Sequence, residues 1–104
     1  MAYLRVNNME ERLYIMSLYD LYGNLLTDKQ KTYFEEYYFD NLSLSEMSEI
    51  YNVSRSAISK SLNEITTKLK NLEDKLKIHK KIGKLTKIIK DRETLSKIED
   101  IFKD

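Results

Sequence analysis

The chain has 104 residues, which is enough for one domain but too few for two independent hydrophobic cores. Its 18 Lys and Arg almost balance its 17 Asp and Glu. Because it has no Cys and only one His, it cannot form a disulfide scaffold, a thiolate metal site or a multi-histidine metal site. Its two Gly are too few for a glycine-rich phosphate loop. No apolar run approaches the roughly 20 residues that cross a bilayer, and the N-terminus lacks the apolar core of a signal peptide. We therefore expect a cytoplasmic protein without membrane insertion. We also expect it to bind no metal or cofactor.

Charge is distributed unevenly along the chain. Residues 1–52 hold four basic and nine acidic side chains, whereas residues 53–90 hold eleven basic and three acidic side chains. Residues 91–104 hold three basic and five acidic side chains, and all eight Tyr lie before Asn52. A basic segment of this kind is typical of nucleic-acid-binding proteins, and a solvated lysine-rich helix face is the alternative.

Apolar residues recur at spacings of three and four, no Pro interrupts them, and no long window alternates with period two. This pattern predicts an all-α fold, preceded by a tail over residues 1–8. A first helix is expected from about Met9 to Tyr22. Its apolar face should consist of Met9, Leu13, Met16 and Leu21, widened by Tyr14, Leu18 and Tyr22. Gly23-Asn24 should end this helix, because both residue types tolerate the left-handed conformation of a helix C-cap.

Two capping boxes predict the next two helices. Thr27-Asp28-Lys29-Gln30 opens a helix that continues to about Tyr38, and Ser43-Leu44-Ser45-Glu46 opens a shorter helix that ends near Tyr51. The first of these helices carries an aromatic face that we expect in the core, made of Tyr33, Phe34, Tyr37 and Tyr38. The second should direct three apolar side chains inward, namely Leu44, Met47 and Ile50.

A fourth helix is predicted from Ser54 to about Lys80, which would be about 40 Å long at about 1.5 Å per residue. Its apolar residues form an a/d heptad seam made of Ile58, Leu62, Ile65, Leu69, Leu72 and Leu76. His79 occupies the next seam position. Two short amphipathic helices should follow, with bends near Gly83 and over residues 91–94.

The segment over residues 42–65 has the layout of a helix-turn-helix motif. Its turn lies at residues 51–53, where Asn52 can adopt the positive φ that the turn requires. Val53 is expected to fill the angle between the two helices, and Ser48 offers the small side chain that their closest approach needs.

The second helix of the motif should show short hydrogen-bonding groups and cations on its outer side, which suit a major groove. The predicted nucleic-acid-binding residues are Ser54, Arg55, Ser56, Ser59, Lys60 and Asn63. Lys68 and Lys70 are expected to contact phosphates as well. The alternative is a helical hairpin with a polar face and no ligand.

The seam and the terminal apolar faces also predict a homodimer. Its interface would consist of Leu62, Ile65, Leu69, Leu72 and Leu76, and closure of the seam within one chain is the alternative. The predicted organisation is a tail over residues 1–8, a helix-turn-helix domain over 9–75 with the motif at about 43–64, and an extension over 76–104 for dimerisation or packing.

The segment LTDKQK over residues 26–31, the aromatic helix after it and the segment SLSEMSEIYNVSRSAISKSL resemble region 4 of bacterial sigma factors. The chain resembles still more closely the small YlxM-type family of sigma-region-4-like proteins linked with the signal recognition particle. The resemblance covers about residues 9–90 and implies a helix-turn-helix body with a long C-terminal helix and a short helical tail. It also implies nucleic-acid binding and an accessory role in the signal recognition particle pathway. This chain departs from the pattern at Ser48, where Ala is usual, at Asn52, where Gly is commoner, and in an Arg-poor recognition helix.

Two functions fit these features. The first is a nucleic-acid-binding protein, with DNA favoured over RNA, that serves transcription regulation or the signal recognition particle pathway. The second is a protein–protein adaptor of the secretion machinery that uses the helix-turn-helix fold as a scaffold without specific DNA readout. We do not expect an enzyme, because the carboxylates lie beside Lys on helix faces and the sequence offers His79 no obvious nucleophile.

Overall fold

The computed structural model describes residues 9–89 and 91–103, and within these residues the protein consists of six α-helices and no strand. Helices α1 to α4 form the body and span Met9–Tyr22, Asp28–Tyr38, Leu44–Tyr51 and Arg55–Leu76. Helices α5 and α6 form the arm and span Ile78–Ile88 and Arg92–Lys103. The all-α prediction is therefore confirmed, whereas the predicted tail over residues 1–8 lies outside the described residues.

The hydrophobic core lies between the four helices of the body. Its buried side chains come from α1 and α4, from the aromatic face of α2 and from Met47 of α3. The rings of Tyr19 and Phe34 are stacked with centroids 4.2 Å apart, and those of Phe34 and Tyr38 with centroids 4.4 Å apart. The prediction that the aromatic face of the second helix belongs to the core is confirmed.

Helix α1 presents only part of its expected apolar face to the core. Its buried residues are Ile15, Leu18 and Tyr22, whereas Met9 and Leu13 are 64% and 53% exposed. The predicted apolar face was therefore wrong at Met9 and Leu13, whereas Leu18 and Tyr22, which were expected to widen it, are buried. Apolar side chains occupy much of the circumference of this helix, so spacing alone does not decide which stripe is buried, and packing against α4 decides it instead.

Helix α1 ends at Tyr22 as predicted, but through a different turn. Residues 23–25 form one turn of 3-10 helix, closed by the Leu26 amide, which donates to the Gly23 carbonyl oxygen at 3.0 Å. Neither Gly23 nor Asn24 has a positive φ, so the left-handed cap expected there is wrong. Gly23 is needed for space instead, since a Cβ at this position would lie 3.1 Å from the Tyr19 ring.

Both capping boxes form as predicted. The backbone amide of Gln30 donates to Thr27 Oγ1 at 3.2 Å. In return, the backbone amide of Thr27 donates to Gln30 Oε1 at 3.0 Å. Ser43 and Glu46 make the same reciprocal pair at 3.0 and 2.9 Å. Hydrogen bonds from the backbone and side chain of Ser43 hold the pKa of the Glu46 carboxyl below its usual value. Local sequence therefore fixes where α2 and α3 begin.

The heptad seam of α4 closes within the chain over most of its length. Four of its side chains are at most 1% exposed and pack in the core of the body, namely Ile58, Leu62, Ile65 and Leu69. Leu72 is half-buried at the edge of the core, and Leu76 is 44% exposed. Three of the five side chains assigned to a dimer interface, Leu62, Ile65 and Leu69, are thus inaccessible to a second chain, which corrects that assignment.

Helix α4 is shorter than predicted, with 22 residues and a length of about 33 Å. Lys77 leaves the helix in the left-handed conformation with a φ of 56°, and α5 begins at the next residue. The predicted continuation to Lys80 is therefore wrong, and so is the bend at Gly83, which lies inside α5. The second bend falls earlier than predicted, because α5 ends at Ile88 and Asp91 already accepts the Glu93 amide at the start of α6.

A buried polar group of side chains explains the corner between α4 and α5. Glu73 is 7% exposed, and its carboxylate accepts a hydrogen bond from the Tyr22 hydroxyl at 2.6 Å. It also accepts the His79 amide at 3.0 Å and the Lys80 amide at 3.1 Å. The Tyr22 oxygen accepts the Ile78 amide at 3.2 Å. This Glu73 cluster, comprising Tyr22, Glu73 and the first amides of α5, gives the start of α5 the hydrogen-bond partners that every helix start lacks.

The Glu73 cluster also sets the protonation of its two side chains. Burial raises the pKa of the Glu73 carboxyl, but the hydrogen bonds from Tyr22 and from the two amides lower it further, so the pKa lies below its usual value. Burial and the hydrogen bond to Glu73 raise the pKa of Tyr22 to about 12. The cluster therefore stabilises a charged carboxylate beside a neutral phenol.

The arm packs along α1. Both α5 and α6 contact this helix and each other, and the rings of His79 and Tyr14 meet edge to face with centroids 5.1 Å apart. The molecule is elongated, with extents of 47, 26 and 25 Å. The long helix does not project freely, because its far end is covered by α1 and joined to the arm.

Candidate nucleic-acid interface

The turn between α3 and α4 is held by α3 itself. Asn52 has a φ of 53° and a ψ of 47°, the left-handed conformation predicted for it, and its amide donates to the Ser48 carbonyl oxygen. The Ser48 hydroxyl donates to the Val53 carbonyl oxygen at 2.5 Å, and the Val53 amide returns a bond to the Ser48 carbonyl oxygen at 3.2 Å. Ser at this position therefore adds a hydrogen bond to the turn that Ala could not make.

Three fully buried side chains anchor the two helices of the motif. They are Met47 on α3 and Ile58 and Leu62 on α4. Ile50, which was predicted to point inward, is 57% exposed, and Val53 fills the angle between the helices only in part, because it is exposed as well. With eight residues, α3 buries one narrow stripe around Met47, which leaves no room in the core for Ile50.

The first turns of α4 place the predicted contact residues unequally. Four of the six are exposed, namely Ser54, Arg55, Ser56 and Lys60. The Ser54 hydroxyl caps the helix by accepting the Ala57 amide at 3.0 Å. Ser59 is only 8% exposed and Asn63 is half-buried, because these two side chains border the buried stripe of α4. The outward surface of the motif is therefore narrower than the sequence indicates.

Most of the predicted residues nevertheless come together around one open depression of about 430 Å³. Its lining consists of Leu44, Arg55, Ser56, Ser59, Lys60 and Asn63. The Arg55 guanidinium donates to Ser45 Oγ at 3.3 Å, which directs it toward the start of α3. Leu44 was not predicted as part of the surface, because its apolar spacing assigned it to the core, and the structure leaves it half-buried.

The polar surface continues along α4 beyond the motif. A second depression of about 590 Å³ shares Lys60 and Asn63 with the first and extends to Lys75. Its other lining residues are Glu64, Thr67, Lys68, Asn71 and Leu72. Within the described residues the buried Asn63 Oδ1 atom has no hydrogen-bond partner. Polar residues recur along this face at spacings of three and four, namely Lys60, Asn63, Thr67 and Asn71. This pattern in the sequence could have identified the extension of the polar surface along α4.

Only one of the two lysines predicted to contact phosphates beyond the motif lies on this surface. Lys68 lines the second depression, whereas Lys70 Nζ lies 2.9 Å from a Glu11 carboxylate oxygen on α1. Residues two positions apart on a helix cannot share a face, so Lys68 and Lys70 were never equivalent. A phosphate contact by Lys70 stays a prediction and would require its exposed ion pair with Glu11 to open.

The described residues contain no group of three or more His, Cys, Asp or Glu side chains that could hold a metal ion. Across the same residues, each helix is too short or too polar to cross a membrane.

Sequence comparison agrees with this architecture. Residues 9–103 match the model of a family described as "UPF0122: Putative helix-turn-helix protein, YlxM / p13 like". The chain belongs to the UPF0122 family. The resemblance to YlxM-type proteins is thereby confirmed, and because the match includes the arm, the arm is part of what UPF0122 proteins share.

Individual UPF0122 relatives are similar over nearly the whole chain. A UPF0122 protein of Ureaplasma urealyticum is 43% identical over 97 residues, which cover 90% of this chain and 98% of the relative. A UPF0122 protein of Mycoplasma capricolum is 40% identical over 91 residues, with 88% of this chain and 80% of the relative covered. One from Thermoanaerobacter sp. is 38% identical over 109 residues, covering 91% of this chain and 93% of the relative.

Proposed function

We propose that this protein binds nucleic acid through the outer face of its helix-turn-helix motif. The observation that carries the proposal is the exposure of Arg55, Ser56 and Lys60 on a helix whose opposite face is fixed in the core. A helix held in this way can enter a major groove with hydrogen-bonding and cationic side chains foremost. The helix-turn-helix description of the family supports the same function.

The chemistry of this face favours phosphates over base edges. Arg55 is the only Arg in α4, and bidentate Arg–guanine pairs are the commonest specific base contact. Lys60 and Lys68 supply charge without a fixed fork of donors. We therefore expect binding dominated by counterion release, and neutralisation of about four to six phosphates would give a log–log salt slope of about −4 to −5.

We further propose that this binding serves the signal recognition particle pathway in the cytoplasm, as the resemblance to YlxM-type proteins implies. The helix-turn-helix geometry favours duplex DNA as the ligand, and the RNA of the particle is the alternative. The protein would act by binding and not by catalysis, because the proposed surface carries no paired nucleophile and base.

The decisive experiment is a fluorescence-anisotropy titration of labelled duplex DNA and of the particle's RNA at two salt concentrations. Each titration is repeated with the particle's protein subunit present. Salt-sensitive binding to duplex DNA alone would identify a transcription regulator. Binding to the RNA, or binding that needs the protein subunit, would identify an accessory protein of the secretion pathway.

The surface assignment is tested by the double substitution Arg55→Ala with Lys60→Ala. We expect it to weaken binding about tenfold or more, because it removes the two exposed cations in the first turns of α4. Arg92→Ala with Lys103→Ala is the matched control, since it removes one Arg and one Lys from exposed positions of α6. Unchanged binding by the first variant would refute the assignment.

A second candidate is a protein–protein adaptor that retains the helix-turn-helix fold as a scaffold. The exposed apolar side chains of the arm, Ile88, Ile101 and Phe102, favour it, because a partner protein could cover them. The homodimer predicted from the sequence stays a proposal as well. Light scattering at micromolar concentration tests it, and a monomer would refute it.

A further inference from the structure

The most one-sided charge of the molecule lies outside the helix-turn-helix motif. Between Asp74 and Asp91 the sequence contains seven Lys and one His but no acidic residue. Six of these lysines belong to the described residues, and all six are exposed. Within residues 9–89 and 91–103, none of the six takes part in an ion pair. Their charge is therefore not neutralised within the part of the chain that the structure describes.

Three of these lysines form one stripe on α5. Lys80, Lys84 and Lys87 are spaced by four and three residues, so they share a helix face and extend about 10 Å along the axis. Three apolar side chains on another side of α5, Ile78, Ile82 and Leu85, are half-buried, and Ile78 packs against the core. Asp20 and Glu99 lie beside a different flank of α5, where they line a depression together with Gly83.

The lysine stripe is held at a fixed position. The Glu73 cluster binds the first three amides of α5, so this helix starts at a defined place at the end of α4. Contacts of α5 with α1 and α6 fix its other sides. The three ammonium groups therefore project from a rigid element while their flexible stems can adjust to a ligand.

The shape and environment of the stripe favour a polyanion with regularly spaced charges. All three lysines are exposed on one helix face, an arrangement that suits an extended ligand better than a small anion. A nucleic-acid duplex carries about one negative charge per 1.7 Å of its axis, which can satisfy several lysines in a row. An anionic membrane is disfavoured, because an interfacial helix inserts its apolar face, and three apolar side chains of α5, Ile78, Ile82 and Leu85, are already half-buried.

We infer that Lys80, Lys84 and Lys87 form a second nucleic-acid site, which binds the phosphate backbone of a duplex without reading its sequence. This inference rests on the proposed function, to which it adds a surface at the opposite end of α4 from the recognition residues. The two surfaces together would make the footprint longer than the helix-turn-helix motif alone provides.

The test is a salt series with labelled duplex DNA of random sequence, longer than the 47 Å extent of the protein. The triple substitution Lys80→Gln, Lys84→Gln, Lys87→Gln is compared with the unmodified chain by anisotropy. Loss of about three phosphate contacts makes the log–log salt slope shallower by about 2–3. The affinity should fall by the same factor for every duplex sequence, because backbone contacts carry no sequence information.

Two variants control for charge and for folding. Lys29→Gln, Lys97→Gln, Lys103→Gln removes the same net charge from other exposed positions and should leave the slope unchanged. Lys80→Arg, Lys84→Arg, Lys87→Arg keeps the charge on α5 and should retain the slope. Circular dichroism melting checks that each variant keeps the helical fold.

Each outcome decides the inference. It is overturned if the α5 triple variant leaves the slope unchanged, or if the charge-matched control lowers it equally. Loss of binding to phosphatidylglycerol vesicles with unaltered duplex binding would overturn it in favour of a membrane. The double variant Arg55→Ala with Lys60→Ala is titrated in parallel. If it binds normally while the α5 variant does not, the assignment of the motif surface fails and the proposed site on α5 is retained.

Discussion

The body and the arm of this protein are held in place by different forces. The body buries a continuous set of twelve hydrophobic side chains between Ile15 and Leu69, whereas α5 and α6 contribute no buried side chain within the described residues. The arm is positioned instead by the Glu73 cluster and by half-buried contacts along α1. Apolar burial is strong but has no direction, while hydrogen bonds are weaker and directional. The comparison indicates that the body can keep its fold when the position of the arm changes.

The largest expected effect comes from the core of the body. Leu69→Ala should lower the free energy of unfolding by about 2–5 kcal/mol, because it leaves a cavity among fully buried neighbours. Leu76→Ala on the same helix is the matched control and should cost less than about 1 kcal/mol, since this residue is already 44% exposed. Urea unfolding measures both. Equal losses would contradict the difference in burial between these two positions of α4.

Disruption of the Glu73 cluster should affect the arm more than the body. Glu73→Gln removes a charged acceptor of three hydrogen bonds, at an expected cost of about 1–3 kcal/mol. Hydrogen exchange of the His79 and Lys80 amides should accelerate, while amides of α2 and α3 keep their protection. Asp74→Asn, one residue further along and exposed, is the control and should change neither. Uniform acceleration over the whole chain would show that arm and body unfold together.

The same carboxylate predicts a dependence of stability on acid pH. Burial raises the pKa of Glu73 and hydrogen bonds lower it more, so its folded pKa lies below the usual value of 4.5. Its stabilisation is therefore complete above pH 4.5 and is lost as the pH falls through the folded pKa. In Glu73→Gln the stability should decline less steeply below pH 4.5. Part of the decline should persist, because the pKa values of Glu46 and Asp91 are also lowered.

The smallest effects should have opposite signs in the two regions. Gly83→Ala places a methyl group in open space within α5 and should stabilise the protein by about 0.5–1 kcal/mol through helix propensity. Gly23→Ala should destabilise it, because the new Cβ would lie 3.1 Å from the Tyr19 ring. Thermal unfolding of both variants gives the comparison. Stabilisation by both would show that the Tyr19 ring moves aside readily.

The features that sequence could predict are those decided by neighbouring residues. Both capping boxes, the left-handed Asn52 and the cap at Ser54 depend on side chains within three residues, and all four form. The aromatic core was predictable as well, because such a dense group of rings is rarely left in solvent. Recognition of the helix-turn-helix motif followed from this local order.

The features that sequence could not predict depend on contacts between distant residues. The end of α4 is set by the hydrogen bond between Glu73 and Tyr22, which are 51 positions apart. The heptad spacing of the seam does not indicate that the helix ends before Lys77. The exposure of Ile50 and the burial of Ser59 depend likewise on how α3 crosses α4. The width of the exposed polar face of α4 and its extension to Lys75 therefore required the packed structure.

The corner between α4 and α5 has a consequence for any ligand that contacts both helices. Because Glu73 fixes the start of α5 during folding, the separation between the proposed recognition residues and the lysine stripe is set before a ligand arrives. The entropy of ordering the two surfaces is then not lost on binding, and one contact raises the effective concentration of the other. The corner would thus fix the distance between the two surfaces and favour nucleic acids whose length and curvature place phosphates at both ends of α4.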